Sequence, residues 1–85
     1  SQEAVVTATI ENSHAQAVID AELLAVLLDE NGHPIQFDTL NDVKVAGNGE
    51  STYQIIFTLE EDEPLPVSVD VFAYWGTWTE LRDSE

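Results

Sequence analysis

The chain contains no cysteine and no methionine, and its only basic residues are Lys44 and Arg82. Without cysteine there is no disulfide, thiolate nucleophile, iron–sulfur cluster or cysteine-type zinc site. No apolar run approaches the roughly 18 residues that a membrane-spanning helix requires, so we expect no membrane insertion. Nucleic acids and anionic membrane surfaces are bound through Lys and Arg, so the shortage of basic residues excludes both as partners.

Acidic and apolar residues dominate what is present. The 85 residues include 17 acids, the formal net charge is −15, and 44% of the residues are hydrophobic. This apolar content is too high for a disordered acidic tail and is typical of one small domain, which we place at residues 1–85. The acids are spread along the whole chain, and Lys is almost absent. That pattern favours a halophilic or marine source over an ordinary acidic surface that keeps a domain soluble.

Two segments alternate between apolar and polar residues with the period of a half-buried strand. They are residues 4–11 and 51–59, and β-branched residues are frequent in both. Period-two alternation of this kind predicts a β-strand with one face turned to the core. The residues predicted to face inward are Val6, Ala8 and Ile10 in the first segment, and Tyr53, Ile55, Phe57 and Leu59 in the second.

Residues 15–29 fit either a helix or a strand. Their Ala, Leu and Glu content and the Asn31-Gly32 pair that follows are typical of a helix with its C-cap. Read as a strand, residues 17–28 place Ile19, Ala21, Leu23, Ala25 and Leu27 on one face. We favour the strand because its neighbours are strands, although Leu24, Val26 and Leu28 make the opposite face apolar as well.

Turn residues divide the rest of the chain into short strands. Asn31-Gly32 predicts a hairpin turn, followed by a strand at 34–38 with Ile35 and Phe37 on one face. A further strand is predicted at 41–46, with Val43 and Val45 on one face, before a turn at 47–50.

The C-terminal third predicts an acidic loop at 60–63, a long strand, and a final short strand at 77–81. The long strand is expected to bury an inward row of Val67, Val69, Val71, Ala73 and Trp75, with Trp75 as a core anchor. The total of six or seven short strands predicts an all-β fold, an antiparallel two-sheet sandwich.

Three short motifs resemble small prokaryotic Ig-like modules. Residues 7–12 (TATIEN), 27–32 (LLDENG) and 46–51 (AGNGES) are similar, in order and spacing, to the opening strand, hairpin and Gly-Glu-Ser turn of the FxLyD and CARDB-like families. Leu28 stands where an aromatic is usual, and Gly47-Asn48 replaces a proline before Gly-Glu. The resemblance implies an Ig-like or fibronectin-type-III-like sandwich in an extracytoplasmic protein: cell-surface, periplasmic or secreted.

Residues suited to catalysis are few. His14 and His33 fall in predicted turns, and Ser13, His14 and Asp20 are the residues from which a nucleophilic triad would have to be built. No nucleophile elbow or oxyanion loop accompanies them. We therefore expect no enzymatic activity and no cofactor.

The acidic turns are the candidates for an ion. Calcium takes six to eight oxygen ligands, and the complete twelve-residue loop that commonly supplies them is absent. The weak calcium candidates are Asp29 and Asn31 in the hairpin turn, and Glu60, Glu61, Asp62 and Glu63 in the acidic loop.

A late aromatic group is the candidate partner or ligand face. Phe72 and Tyr74 fall on the outward phase of their strand, and Trp78 lies nearby in sequence. Exposed aromatics bind protein partners or sugars. The expected function is therefore a non-catalytic structural or protein-interaction module that contacts neighbouring domains or subunits. The alternative is a ligand-binding module for carbohydrate or calcium.

The charge predicts a salt-dependent stability. Folding brings the carboxylates together, and salt screens their repulsion, with a Debye length of about 10 Å at 0.1 M. The melting temperature should rise with NaCl, and magnesium should match calcium at equal ionic strength unless calcium occupies a site. A melting temperature that stays flat from low salt to about 1 M NaCl would contradict the repulsion argument.

Overall fold

The fold is all-β, as expected from the sequence. A computed structural model describes residues 2–75, which form five strands and no helix. They are β1 (Gln2–Asn12), β2 (Val18–Leu28), β3 (Pro34–Val45), β4 (Gly49–Leu59) and β5 (Ser68–Tyr74). The described residues thus hold five strands rather than six or seven, and the strand predicted at 77–81 lies outside them.

The strands form two antiparallel sheets. In the first, β1 pairs with β4 along its whole length, from Gln2 opposite Leu59 to Asn12 opposite Gly49. In the second, the strand order is β3–β2–β5, so β2 has a neighbour on each side. The prediction that residues 17–28 form a strand is confirmed. Its two neighbours supply the backbone hydrogen bonds that a helix would have made internally.

The register of β2 corrects one inward assignment. Ala21, Leu23, Ala25 and Leu27 are buried as predicted, but Ile19 is 70% exposed. The pairing with β3 is irregular between Val18 and Ala21, so the simple alternation does not extend to the start of the strand.

The segments predicted as strands at 34–38 and 41–46 are one strand, β3. Between the pairs Ala21–Val43 and Leu23–Leu40 the register shifts, and Asp42 takes a positive φ of 59°. This irregularity bends the strand without ending it. A second register shift, opposite Leu27 and Leu28, places Ile35 and Phe37 on different faces of β3. Ile35 packs against the core, whereas Phe37 is 73% exposed, so the prediction that both share one face was wrong.

One hydrophobic cluster joins the two sheets. β1 and β4 contribute the inward residues that the alternation predicts, and β2 and β3 contribute theirs from the other side. The buried members are Val6, Ala8, Ala21, Leu23, Ala25, Leu27, Val43, Val45, Ile55, Phe57 and Leu59.

β5 departs from the predicted burial. The register places Val69, Val71 and Ala73 opposite the core residues Leu27, Ala25 and Leu23, so they do lie on the inward phase. Yet Val69 and Val71 remain 39% and 37% exposed, and Trp75 is 51% exposed. Neither the inward row of β5 nor Trp75 is therefore part of the buried core. In the part of the chain that the structure describes, two strands, β1 and β4, face the three strands of the second sheet, and they leave β5 partly exposed.

Side-chain hydrogen bonds place β4 over β3. The Tyr53 hydroxyl accepts from the backbone N–H of Lys44 and donates to its carbonyl, both at 2.8 Å. Further along, the Gln36 Nε2 donates to the carbonyl of Thr58 at 2.9 Å. These contacts tie the β3 side of the second sheet to the β4 side of the first.

Asn12, the last residue of β1, holds together the loops at one end of the fold. Its Nδ2 donates to the carbonyls of Gln16, at 2.8 Å, and Ala46, at 3.3 Å, and its Oδ1 accepts from the His14 N–H at 3.0 Å. Asn12 is 8% exposed and is the buried polar residue of the described part of the chain. A Cβ at Gly47 would clash with the carbonyl of Ala15, so glycine permits the close approach of the two loops.

Replacing Asn12 with Ala should destabilise the fold. It removes three part-buried hydrogen bonds of the Asn12 side chain, and each such bond contributes about 0.5–1.5 kcal/mol, so we expect a loss of about 1–3 kcal/mol. The measurement is the free energy of unfolding in urea. Asn41→Ala, at an exposed position, is the matched control and should change it by under about 0.5 kcal/mol. Equal losses in the two variants would show that the Asn12 contacts contribute nothing specific.

Candidate functional site

The outward side of the three-stranded sheet is apolar along its central strand. In β2, Leu24, Val26 and Leu28 alternate with the core residues and point to the opposite side of the sheet. All three are half-buried, with no second layer over them among residues 2–75. This is the apolar opposite face that the sequence signalled in residues 17–28.

Phe72 and Tyr74 lie on this side of the sheet. Phe72 is opposite Leu24 and is 47% exposed, and Tyr74 is opposite Glu22 and half-buried. Opposite residues in an antiparallel pair point to the same face and have Cβ atoms about 5 Å apart. Phe72 and Tyr74 therefore share one face, as the strand phase predicts. Trp78, the third member of the predicted aromatic face, lies outside the described residues.

Phe37 was missed by the sequence analysis. It lies on β3 opposite Val26 and is 73% exposed. The two phenylalanines thus flank β2, one on each neighbouring strand, with aliphatic side chains between them. We call this surface the outer face; it comprises Leu24, Val26, Leu28, Phe37 and Phe72. The signal that pointed to it was the apolar even-numbered positions of β2.

The neighbours of the outer face in the described strands are acidic or neutral. Glu22 lies opposite Tyr74, Asp70 lies opposite Val26 on β5, and Thr39 lies opposite Leu24 on β3. All three are exposed. An apolar surface bordered by carboxylates can bury area against an apolar partner and attract basic groups at its edge.

The Asp29 carboxylate, a calcium candidate, is engaged within its own turn. Its Oδ1 accepts from the backbone N–H groups of His33 and Asn31, each at 2.9 Å. The hydrogen bond from His33 is the larger cause that holds the pKa of Asp29 below its ordinary value, because it favours the charged form. Gly32, with a φ of 78°, completes this turn as the Asn-Gly pair predicts.

The acidic loop is organised around Glu63. Its Oε1 accepts from the Gln36 Nε2 at 2.8 Å and from the Glu60 N–H at 2.9 Å. Glu60, Glu61 and Asp62 are exposed. Within residues 2–75, no three carboxylate or histidine groups come together in a cluster that could hold a metal ion.

The residues considered for catalysis lie on the surface. Ser13 and His14 are in the connection between β1 and β2, and Asp20 is near the start of β2. All three are exposed, as is His33 at the hairpin. The backbone of His14 is held by the Asn12 side chain and by a hydrogen bond from the Asn48 N–H to its carbonyl.

Comparison with known proteins adds no assignment: no protein-family model, curated protein or solved structure matches this chain.

None of the residues from 2 to 75 belongs to a helix with the length and hydrophobicity of a membrane span.

Proposed function

We propose that this chain is a non-catalytic protein-interaction module that docks a partner on the outer face. The observation that carries the proposal is the exposure of Phe37 and Phe72, at 73% and 47%, on either side of the apolar stripe of β2. Large contiguous apolar patches are uncommon on free soluble proteins and often mark contact surfaces. The partner is a neighbouring domain or another subunit.

The chemistry of the outer face favours a protein partner over a sugar. The two exposed rings, Phe37 and Phe72, have no polar group with which to orient a hydroxylated ligand, and the Tyr74 beside them is half-buried. Calcium is disfavoured as the ligand because it takes six to eight oxygens, and no three acidic or histidine side chains cluster within residues 2–75.

The wider setting is proposed from the sequence. An Ig-like or fibronectin-type-III-like sandwich of a cell-surface, envelope or secreted protein accommodates the two antiparallel sheets and the motifs at 7–12, 27–32 and 46–51. A halophilic or marine source accounts for a net charge of −15 on 85 residues. High salt would screen that charge and strengthen apolar contacts at the outer face.

Site-specific photocrosslinking tests the proposal. Benzoylphenylalanine is introduced singly at Phe37, at Phe72 and at Ile56, and the protein is expressed in its organism of origin. Ile56 is 55% exposed but lies on the outward side of the β1–β4 sheet, so it is the matched control. Positions 37 and 72 should crosslink to the same polypeptide, identified by mass spectrometry of the adduct, and position 56 should not.

Either of two results would contradict the proposal. One is the absence of any adduct at positions 37 and 72. The other is the same set of adducts at all three positions, which would indicate random contact. The melting temperature of each labelled protein confirms that the fold is retained.

A further inference from the structure

A second surface, on the inward side of β5, has no layer over it within residues 2–75. Tyr53 and Gln36 tie β4 to β3, so the first sheet begins above β3. β1, the neighbour of β4 in the first sheet, borders a groove whose lining also includes Ala73 of β5. The first sheet therefore ends at β1, before it reaches β5.

The uncovered part of β5 is an apolar row. Val69 and Val71, on the inward phase, are 39% and 37% exposed, and Trp75 at the end of the strand is 51% exposed. Leu65 and Val67, in the segment that leads into β5, are each 65% exposed. Side chains on this phase are buried where β1 and β4 cover them.

A groove marks one end of the same space. It encloses about 620 Å³ and is lined by Ile10 and Asn12 of β1 on one side and by Ala73 and Trp75 on the other. Core residues Leu23 and Val43 form its base. The groove shows that β1 and β5 border one open space.

The backbone of β1 has an edge on this side. Among residues 2–75, β1 pairs with β4 only, so the N–H and C=O groups on its other edge are not used in a sheet. Edge strands that are neither paired nor blunted by proline or a bulge readily accept a further strand. β3, by contrast, carries Pro34 and the positive-φ residue Asp42.

We propose that an extended segment of a partner polypeptide adds to the edge of β1 and covers the apolar row of β5. Main-chain hydrogen bonds to β1 would supply affinity, and alternate side chains packed on Val69, Val71 and Trp75 would supply specificity. This surface is distinct from the outer face.

The charge distribution defines the partner segment further. Glu3 and Glu11 on β1 are exposed, Asp20 borders the groove, and none of the residues from 2 to 75 that line the groove is Lys or Arg. A segment that alternates apolar and basic residues would place its apolar side chains on β5 and its basic ones toward these carboxylates. A second copy of this chain is disfavoured, because it carries a net charge of −15.

Amide hydrogen exchange with a synthetic peptide tests the inference. The probe is an end-capped peptide in which Lys and Val alternate. Its length of roughly nine residues is within the usual range for a β-strand. In about 0.5 M NaCl, which suppresses diffuse attraction, it should slow exchange at alternate β1 amides, those that do not bond to β4. Peptides that are N-methylated at every residue, or that have the same residues in two blocks, should give no protection.

Paired variants locate the surface. The double variant Val69→Thr/Val71→Thr replaces two apolar side chains of the row with polar ones of similar size. It should weaken peptide binding by at least about 10-fold, which corresponds to a loss of roughly 1.4 kcal/mol. Val5→Thr, on the outward side of β1 and 54% exposed, should leave binding unchanged. Melting temperatures establish that each variant is folded.

Three results would overturn the inference. The first is protection of β3 or β5 edge amides instead of those of β1. The second is equal protection by the block peptide, which would indicate charge attraction alone. The third is slow exchange at the same β1 amides without peptide. If this protection without peptide does not depend on protein concentration, the edge of β1 is occupied by residues 76–85 of the same chain. If it does depend on concentration, the edge is occupied by a second copy of the chain.

Discussion

β2 is apolar on both faces, and the arrangement of the other strands depends on how each face is covered. Its odd-numbered positions from Ala21 to Leu27, including Leu23 and Ala25 at 0% exposure, are buried beneath β1 and β4. Its even-numbered positions are flanked by Phe37 and Phe72 but have no layer above them in the described part of the chain. An apolar strand of this kind is stable in the middle of a sheet, where both edges are paired and both faces are at least partly shielded.

The net negative charge of the chain opposes its folding into a compact domain. Seventeen acids and two bases on 85 residues leave most carboxylates without a counter-charge, so folding concentrates negative charge around a small core. The side-chain contacts that tie the sheets together use neutral donors, Asn12, Gln36 and Tyr53. Such hydrogen bonds keep their strength in concentrated salt, where ion pairs are screened.

The sequence predicted the parts of the fold that local alternation determines. The inward residues of β1 and β4 follow period two without interruption, and all of them lie in the core or pack against it. Irregular register was not predictable: Ile19 and Phe37 are exposed because β2 and β3 pair out of simple alternation. Trp75 and the valines of β5 have the predicted phase but not the predicted burial. Burial depends on how many strands stand opposite, which is a property of the whole fold.

At the candidate site, too, local alternation predicts some residues, and only strand pairing reveals the others. Phe72 and Tyr74 could be placed on one face from the phase of a single strand. Phe37 comes from a strand more than thirty residues away in sequence, and only the pairing of β3 with β2 brings it to that face. The possible cation ligands were chosen by residue type, and the structure shows Asp29 and Glu63 engaged in local hydrogen bonds.

The central claim is that one face of β2 holds the fold together while the other is available for docking. Leu23 and Leu24 are adjacent, identical and on opposite faces, so the free energies of unfolding of Leu23→Ala and Leu24→Ala test it most directly. Leu23 is 0% exposed, and its truncation should cost about 2–5 kcal/mol, the range for a buried leucine. Leu24 is half-buried, and its truncation should cost about 1 kcal/mol. Equal losses would mean that the outer face is as fully covered in the isolated protein as the core, and would contradict the account.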